Sequence, residues 1–432
     1  MTDIQTSGPR SRIAVVGAGI SGMGAAHMLA PTHDVTLFED CKRLGGHART
    51  RMAGRRGDQS VDTGFIVYNE ANYPHLTALF AELGVTTTPS NMSFGASFDG
   101  GRLEYALHGL DALFAQRRNA ANPRFLRMVR DIFRFNRYAI DHVDDPDLTV
   151  GGLMDRLRLG RYFRDHYLLP FSGAIWSTPK SRIEDFPAAS MIRFFDNHNL
   201  LGTYGQHQWY TVAGGSVEYV RRLGTAMTQA GVQIRLDAAV RSVRRTDAGV
   251  EIRAHGSEWE AFDDVIFATH SDDTLALLSD ADTDERADLG AIRYQPNRVV
   301  LHSDTAMMPT SRKCWASWVY TEPQGRAQDE IDLTYWMNSL QPWLTDDPLF
   351  VTLNTDRRID ESLIWDETVL RHPVYDTGAI AAQKRLAGRN GARNTWVCGA
   401  WMKNGFHEDG LGSAVDVVRA IQGRSGLRVA AE

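Results

Sequence analysis

The chain has 432 residues, 43% of them apolar, and a net charge of −6 from 47 basic and 53 acidic side chains. That is enough to bury a large core in two joined domains, and too acidic overall to attract nucleic acid, for which no motif is present. No apolar run is long enough to cross a bilayer, residues 1–9 carry no signal-peptide core, and Cys41, Cys314 and Cys398 stand apart without a CxxC pair or metal-ligand spacing, so a cytoplasmic protein that is neither a disulfide reductase nor a metalloprotein is expected.

The first element is also the most specific. Residues 12–16 read as an apolar strand, followed by Gly17, Gly19 and Gly22 in GxGxxG spacing and a helix that opens at Ile20 and Ser21. Gly17 permits the tight turn, Gly19 lets the backbone approach a pyrophosphate, and Gly22 lets the helix pack close on the strand with its unpaired N–H groups facing the anion. The next apolar run, 34–38, ends at Glu39 and Asp40, where a carboxylate accepts from both hydroxyls of an adenosine ribose and repels a phosphate on it. Then come Arg43, Gly45, Gly46, His47 and Arg49, and after them Thr63 and Gly64. NAD has no use for a second glycine pair and two arginines beyond the ribose, whereas the longer FAD takes backbone and cationic contacts farther along. FAD is the expected cofactor, held noncovalently, since nothing in the spacing activates His47 for a covalent link.

From Tyr73 to Leu201, long amphipathic segments predict a helical region. Within residues 117–138, Arg127, Arg130, Arg134 and Arg137 recur at helical spacing, with Phe125, Val129, Ile132 and Phe133 expected on an apolar face and Asp131 the single acid. Such a helix suits either an anionic lipid surface or a solvated face packed on the rest of the protein. A second nucleotide block begins at 209–216 and continues as strands near 233–236, 240–243, 250–253 and 264–269.

Residues 290–385 add further strands, with Tyr294 and His302 toward the two ends of one of them. His302 is expected either to take the proton leaving a substrate or to bond a loop carbonyl. Trp315, Trp318, Tyr335 and Trp336, with Met307 and Met308 nearby, suit an apolar substrate tunnel or a packed core. Finally, 395–400 reads as a strand and 405–413 as a loop entering a helix, whose N-terminus at Gly410 and Leu411 would face the flavin pyrimidine edge and stabilise negative charge on reduced flavin. No second GxGxxG unit is present for NADPH. The substrate is therefore expected to give up hydride to flavin N5, and oxygen or a redox partner to reoxidise it.

The N-terminal fingerprint, the Arg43–Gly46 segment and the C-terminal glycine motif together resemble the FAD-dependent amine oxidase superfamily, over the whole chain. This resemblance implies an α/β fold with a Rossmann-like FAD-binding domain of the glutathione-reductase/amine-oxidase type at 10–75, 205–289 and 390–425, interleaved with an α+β substrate domain at 76–204 and 290–389. It also implies Val240 near the adenine, Ala268 and Thr269 near the pyrophosphate, and Gly399, His407, Glu408, Gly410 and Leu411 at the cofactor. Many amine oxidases carry an acid after the C-terminal strand glycine; here Ala400 follows Gly399, and Glu408 or Asp409 is expected to supply the missing contact. Residues 315–318, 334–338, 371–375 and 405–410 further resemble a bacterial subgroup that includes the flavin-dependent desaturase of methylated fatty acyl chains in furan fatty acid synthesis. That implies a hydrophobic substrate, a fatty acyl chain; if the chain is still attached to a membrane phospholipid, the enzyme must reach the inner face of the cytoplasmic membrane, and the arginine-rich helix is the segment expected to dock there. A soluble amine oxidase releasing hydrogen peroxide, and a non-redox flavoprotein, are the alternatives.

Overall fold

The computed structural model describes residues 10–145, 147–176, 178–202, 206–323 and 331–424; the expectation about a signal sequence at residues 1–9 falls outside them. No helix among the described residues is long and apolar enough to cross a membrane. The strand Arg12–Val16 lies at the centre of the first sheet, and Ile13, Ala14 and Val15 have no exposed surface, as a parallel strand covered on both faces requires. It pairs in parallel with Asp34–Phe38 and Asp264–Phe267, so that Val15 stands opposite both Leu37 and Ile266. Gln233–Arg235 and Thr395–Val397 complete a five-stranded parallel sheet drawn from widely separated stretches of the chain. A three-stranded antiparallel sheet, Val240–Thr246, Gly249–Ala254 and Glu260–Phe262, packs against it through Val240, Val243, Phe38 and Phe267.

The second body is a seven-stranded, mostly antiparallel sheet in the order 364–374, 293–302, 350–353, 332–336, 318–322, 94–98, 103–106. Helices between residues 110 and 197 cover one of its faces, and together they enclose the largest apolar core. The architecture is the expected α/β one, with a Rossmann-like parallel sheet and an α+β partner.

One buried carboxylate ties the two bodies together. Asp62, in the Gln59–Asp62 strand, is 1% exposed and accepts hydrogen bonds from Thr50 Oγ1 at 2.6 Å, Ser216 Oγ at 2.7 Å, Ser216 N at 2.9 Å and Gln341 Nε2 at 2.7 Å. Burial pushes its carboxyl up to about 6, against the pull of these donors. Asp62→Ala strands all of them, and we expect it to cost about 3 kcal/mol in urea denaturation. The folded state keeps the Asp62 proton to higher pH than the unfolded chain does, so stability falls as pH rises from about 4 toward 6, and Asp62→Asn should flatten that slope.

Candidate active site

The nucleotide loop is shaped by close backbone approach. Gly17 has φ +99°, and a Cβ on Gly22 would lie 1.8 Å from the Gly17 carbonyl oxygen and 3.1 Å from Ala268 Cβ, so the helix Ile20–Leu29 meets the strand ends only because Gly22 has no side chain. A Cβ on Gly19, by contrast, would meet nothing within 4 Å. The helix begins there with no side-chain cap and no acid in its first turn, which leaves the amides at Ile20, Ser21 and Gly22 to an outside anion. Gly45 N donates to Ala18 O at 2.8 Å, and a Cβ on Gly46 would come within 3.0 Å of Gly19 Cα, so the second glycine pair walls the same loop.

Glu39 is buried beside it, with Oε2 accepting from Ala18 N at 2.7 Å and Oε1 from Cys41 N at 3.0 Å. Burial, with Asp40 alongside, pushes its carboxyl upward. Each oxygen keeps acceptor capacity for a ribose hydroxyl. Ala238 N donates to Glu39 O at 2.9 Å, and Val240 packs with Val16 and Phe38, which puts Val240 beside the ribose acid. Ala268 N bonds Val16 O at 2.8 Å, so Ala268 and Thr269 follow the strand directly opposite the glycine loop.

The arginines of this region are committed to the protein. Arg43 donates to the carbonyls of Leu44, Gly46 and Ala48, at 3.3, 2.8 and 3.1 Å, and staples its own loop. Arg49, 7% exposed, pairs with Asp366 at 2.5 Å and donates to Thr63 Oγ1 at 2.9 Å. Both have carbonyl or carboxylate partners that hold them in place beside the glycine loop. Thr63 belongs to that clamp, and Gly64 fits because a Cβ there would lie 1.9 Å from His47 O.

Around His47 the chain assembles a group of imidazoles that no short motif announces. The His47 ring stands 5.7 Å from His270 and 5.9 Å from His372. His407 stacks on Phe65 at 3.9 Å and shares a 2.7 Å hydrogen bond with Tyr219 OH. Burial lowers all four, to about 3 for His270, His372 and His407, so they are neutral. His47 Nε2 and His270 Nδ1, next to the glycine loop, are buried without a hydrogen-bond partner, as is the Tyr375 hydroxyl near Gly405, and such orphaned polar atoms mark where a polar ligand is received. The uncapped helix, the open side of Gly19, the ribose acid and these orphaned atoms fit FAD.

The C-terminal segment differs from expectation. The helix His407–Arg424 already includes residues 407–413, so the expected loop is shorter. Glu408 accepts from His75 N at 2.8 Å and Leu76 N at 2.9 Å and caps the helix Pro74–Glu82; Asp409 accepts from Phe406 N at 2.9 Å. Both carboxylates, offered in sequence as substitutes for the missing acid, thus have backbone amide partners of their own. Leu411 is a packing residue, seated where a Cβ on Gly24 would lie 2.5 Å from its Cδ1. Gly410 adjoins the nucleotide helix, with a Cβ there 2.9 Å from Ser21 Oγ, and Gly399 is held by Ser413, whose Oγ accepts from Gly399 N at 2.8 Å.

The other candidates also sort themselves. His302 is fully buried, with Nε2 on Thr352 Oγ1 at 2.7 Å and Nδ1 accepting from Asp304 N at 3.1 Å; both nitrogens are used internally, so it is corrected from proton acceptor to structural residue. Tyr294 OH accepts from Ser271 N at 2.8 Å and its ring stacks on His270 at 4.3 Å, which positions the loop after Ala268. The four aromatics do not form one pocket. Trp315 and Trp336 pack together at 5.3 Å in a small cluster with Phe350, whereas Trp318 and Tyr335, 5.2 Å apart, face the large core that includes Tyr375 and borders Phe406. His270, Asp272 and Asp273 come close enough to suit a cation, and the Arg371 guanidinium is the one present, 2.6 Å from Asp272 and paired with Asp273. Asp62, Phe65, Tyr219, His372 and Tyr375 were not singled out by sequence reasoning; Asp62 and the 371–375 segment lie within stretches whose patterns it did read.

A parallel sheet with this loop, acid and uncapped helix defines a dinucleotide-binding flavoprotein. The description of the flavin containing amine oxidoreductases matches residues 20–315, and the chain belongs to that family, whose cofactor is the FAD that the site fits. A Mycobacterium tuberculosis protein named as a flavin-containing monoamine oxidase is 25% identical over 274 residues, 58% of this chain and 55% of that protein, so the chain spans about half the length of this curated relative. A Cerastes cerastes L-amino acid oxidase is 46% identical over 54 residues, 12% of this chain and 10% of that one. A CLA-producing fatty acid isomerase from P. acnes has the same fold (TM-score 0.69, 16% identity, 95% of this chain and 98% of that one). So does cyclohexylamine oxidase from Brevibacterium oxydans (TM-score 0.68, 14% identity, 97% and 100%).

Two substitutions separate the cofactor contacts from the scaffold. Glu39→Ala should lower the FAD recovered from purified protein after denaturation, and lower the melting temperature with it, since the Ala18 and Cys41 amides lose their acceptor. Glu408→Ala should cost about 1 kcal/mol through the lost helix cap while FAD content stays at the wild-type level.

Proposed function

We propose that this protein is an FAD-dependent oxidoreductase that dehydrogenates a hydrophobic substrate, an acyl chain of a phospholipid, the methylated chain of the desaturase it resembles being the leading case. One observation carries this reading: the surroundings of His47, next to the second glycine pair, are built of the imidazoles of His270, His372 and His407, which burial keeps uncharged, as it does His47 itself. Phe406 precedes His407 in the chain and borders the large apolar core that includes Tyr375 and is flanked by Trp318 and Tyr335, the aromatic wall of this reading. The neighbouring carboxylates are spent elsewhere, Asp366 on Arg49, Asp272 and Asp273 on Arg371, Asp409 on the Phe406 amide. An ammonium group entering here would lose hydration without a counter-charge, whereas an alkyl chain loses nothing.

FAD, when bound, supplies the two-electron acceptor for the C–H bond that is broken. The chain's own residues do the rest. Glu39 and the amides at Ile20, Ser21 and Gly22 would hold the dinucleotide, His407 keeps its ring fixed between Phe65 and Tyr219, and the aromatic wall excludes water and aligns the substrate. The amine oxidase reading is favoured by the curated relative's name, and the fold is common to a fatty acid isomerase and an amine oxidase alike.

Under anaerobic conditions, detergent-dispersed bacterial phospholipids carrying methylated acyl chains should bleach the visible flavin band, and a panel of monoamines and polyamines should leave it unchanged. Bleaching by amines alone would overturn the acyl-chain reading. No bleaching by either set would favour the non-redox alternative.

A further inference from the structure

The outer surface of residues 107–140 has a composition found nowhere else on the described chain. Six of the eleven exposed large hydrophobic side chains lie in it: Leu107, Leu110, Leu126, Phe133, Tyr138 and Ile140. The same stretch has seven arginines and two acids, in a protein whose net charge is −6. The helix Pro123–Tyr138, capped by Asn122, organises this surface. Phe125, Met128, Asp131 and Phe135 point inward and are fully buried, so Phe133 stands on the opposite side from the apolar face expected for it and is 55% exposed. The spacing of Leu126, Arg130, Phe133, Arg134 and Arg137 puts them together on the outer face.

The two acids do not weaken that face. Asp131 turns inward, accepts from Gly160 N at 2.9 Å and holds Arg130 at 3.0 Å; Asp111 is paired with Arg117 and Lys313, at 2.6 and 2.8 Å. Among the described residues Arg134 and Arg137 form no ion pair. Beneath, Phe135 contacts Phe163 and Phe195, and the ring series Phe195, Trp176, Phe194, Phe406 continues through the same core to the front of the C-terminal helix.

We propose that this face docks on an anionic phospholipid bilayer, with Arg134 and Arg137 on headgroup phosphates and Leu126 and Phe133 inserted between them. Nucleic acid would use the arginines but gives the exposed leucine and phenylalanine side chains no place to go, whereas a bilayer interface takes both. The inference deepens the acyl-chain reading and rests on it for the substrate; the surface itself is independent of that reading.

FAD-loaded full-length protein should co-sediment at low salt with phosphatidylglycerol vesicles and stay in solution with phosphatidylcholine vesicles. Arg134→Glu with Arg137→Glu should weaken vesicle binding at least about tenfold, with FAD content and melting unchanged. Leu126→Ser with Phe133→Ser should weaken it too, at wild-type charge. Wild-type protein that ignores phosphatidylglycerol vesicles would overturn the proposal, as would undiminished binding by the serine variant, which points to a purely anionic partner. Flavin bleaching by lipid in detergent keeps the two readings apart: it survives the arginine reversals if only docking is lost, and fails in every variant if the substrate reading is wrong.

Discussion

The structure depends on a carboxylate buried away from solvent. Asp62 is stable inside the protein only while Thr50, Ser216 and Gln341 all reach it, and those three residues belong to the first nucleotide segment, the second nucleotide block and the loop after a strand of the seven-stranded sheet. A buried charge or half-charge is costly unless every donor is in place, so the contact is nearly all-or-none. It closes a chain that crosses between the two bodies several times, and the Arg49–Asp366 pair locks the same junction a few residues away.

Rigidity at that junction matters because the site lies along it. The glycine loop, Glu39 and the uncapped helix come from the parallel sheet, whereas His372 comes from the seven-stranded one and Tyr375 directly follows the same strand. Hydride transfer needs the donor carbon held within a few tenths of an ångström, and clamps across the seam fix that distance better than any single loop. The imidazoles then set the electrostatics: packed in low dielectric they give up their charge and serve as hydrogen-bonding rings, which makes the wall polar in detail and neutral overall.

The same economy of charge governs the helical layer. Asp131 faces the core and leaves the outside of its helix to arginine and apolar residues, so one helix packs through its inner face and is free to meet a surface through the other. A buried acid on a basic helix reads in sequence as one charge among many; its direction gives the surface its sign.

What the sequence determined by itself is local and backbone-driven. GxGxxG, the ribose acid and the second glycine pair specify FAD because each acts through geometry over a few residues, and glycines at Gly17, Gly22 and Gly64 are required wherever a Cβ would strike a backbone atom. The helical period likewise disclosed the arginine face. What only the tertiary structure decided is where side chains find partners. Glu408 became a cap for a helix hundreds of residues earlier, His302 was closed off by Thr352, and four aromatics close in sequence parted to opposite sides of a sheet, since a β-strand sends neighbours such as Tyr335 and Trp336 to opposite faces. A charged or aromatic side chain is defined by what surrounds it, and for these residues the surroundings are brought in by long-range contacts that no window of sequence contains.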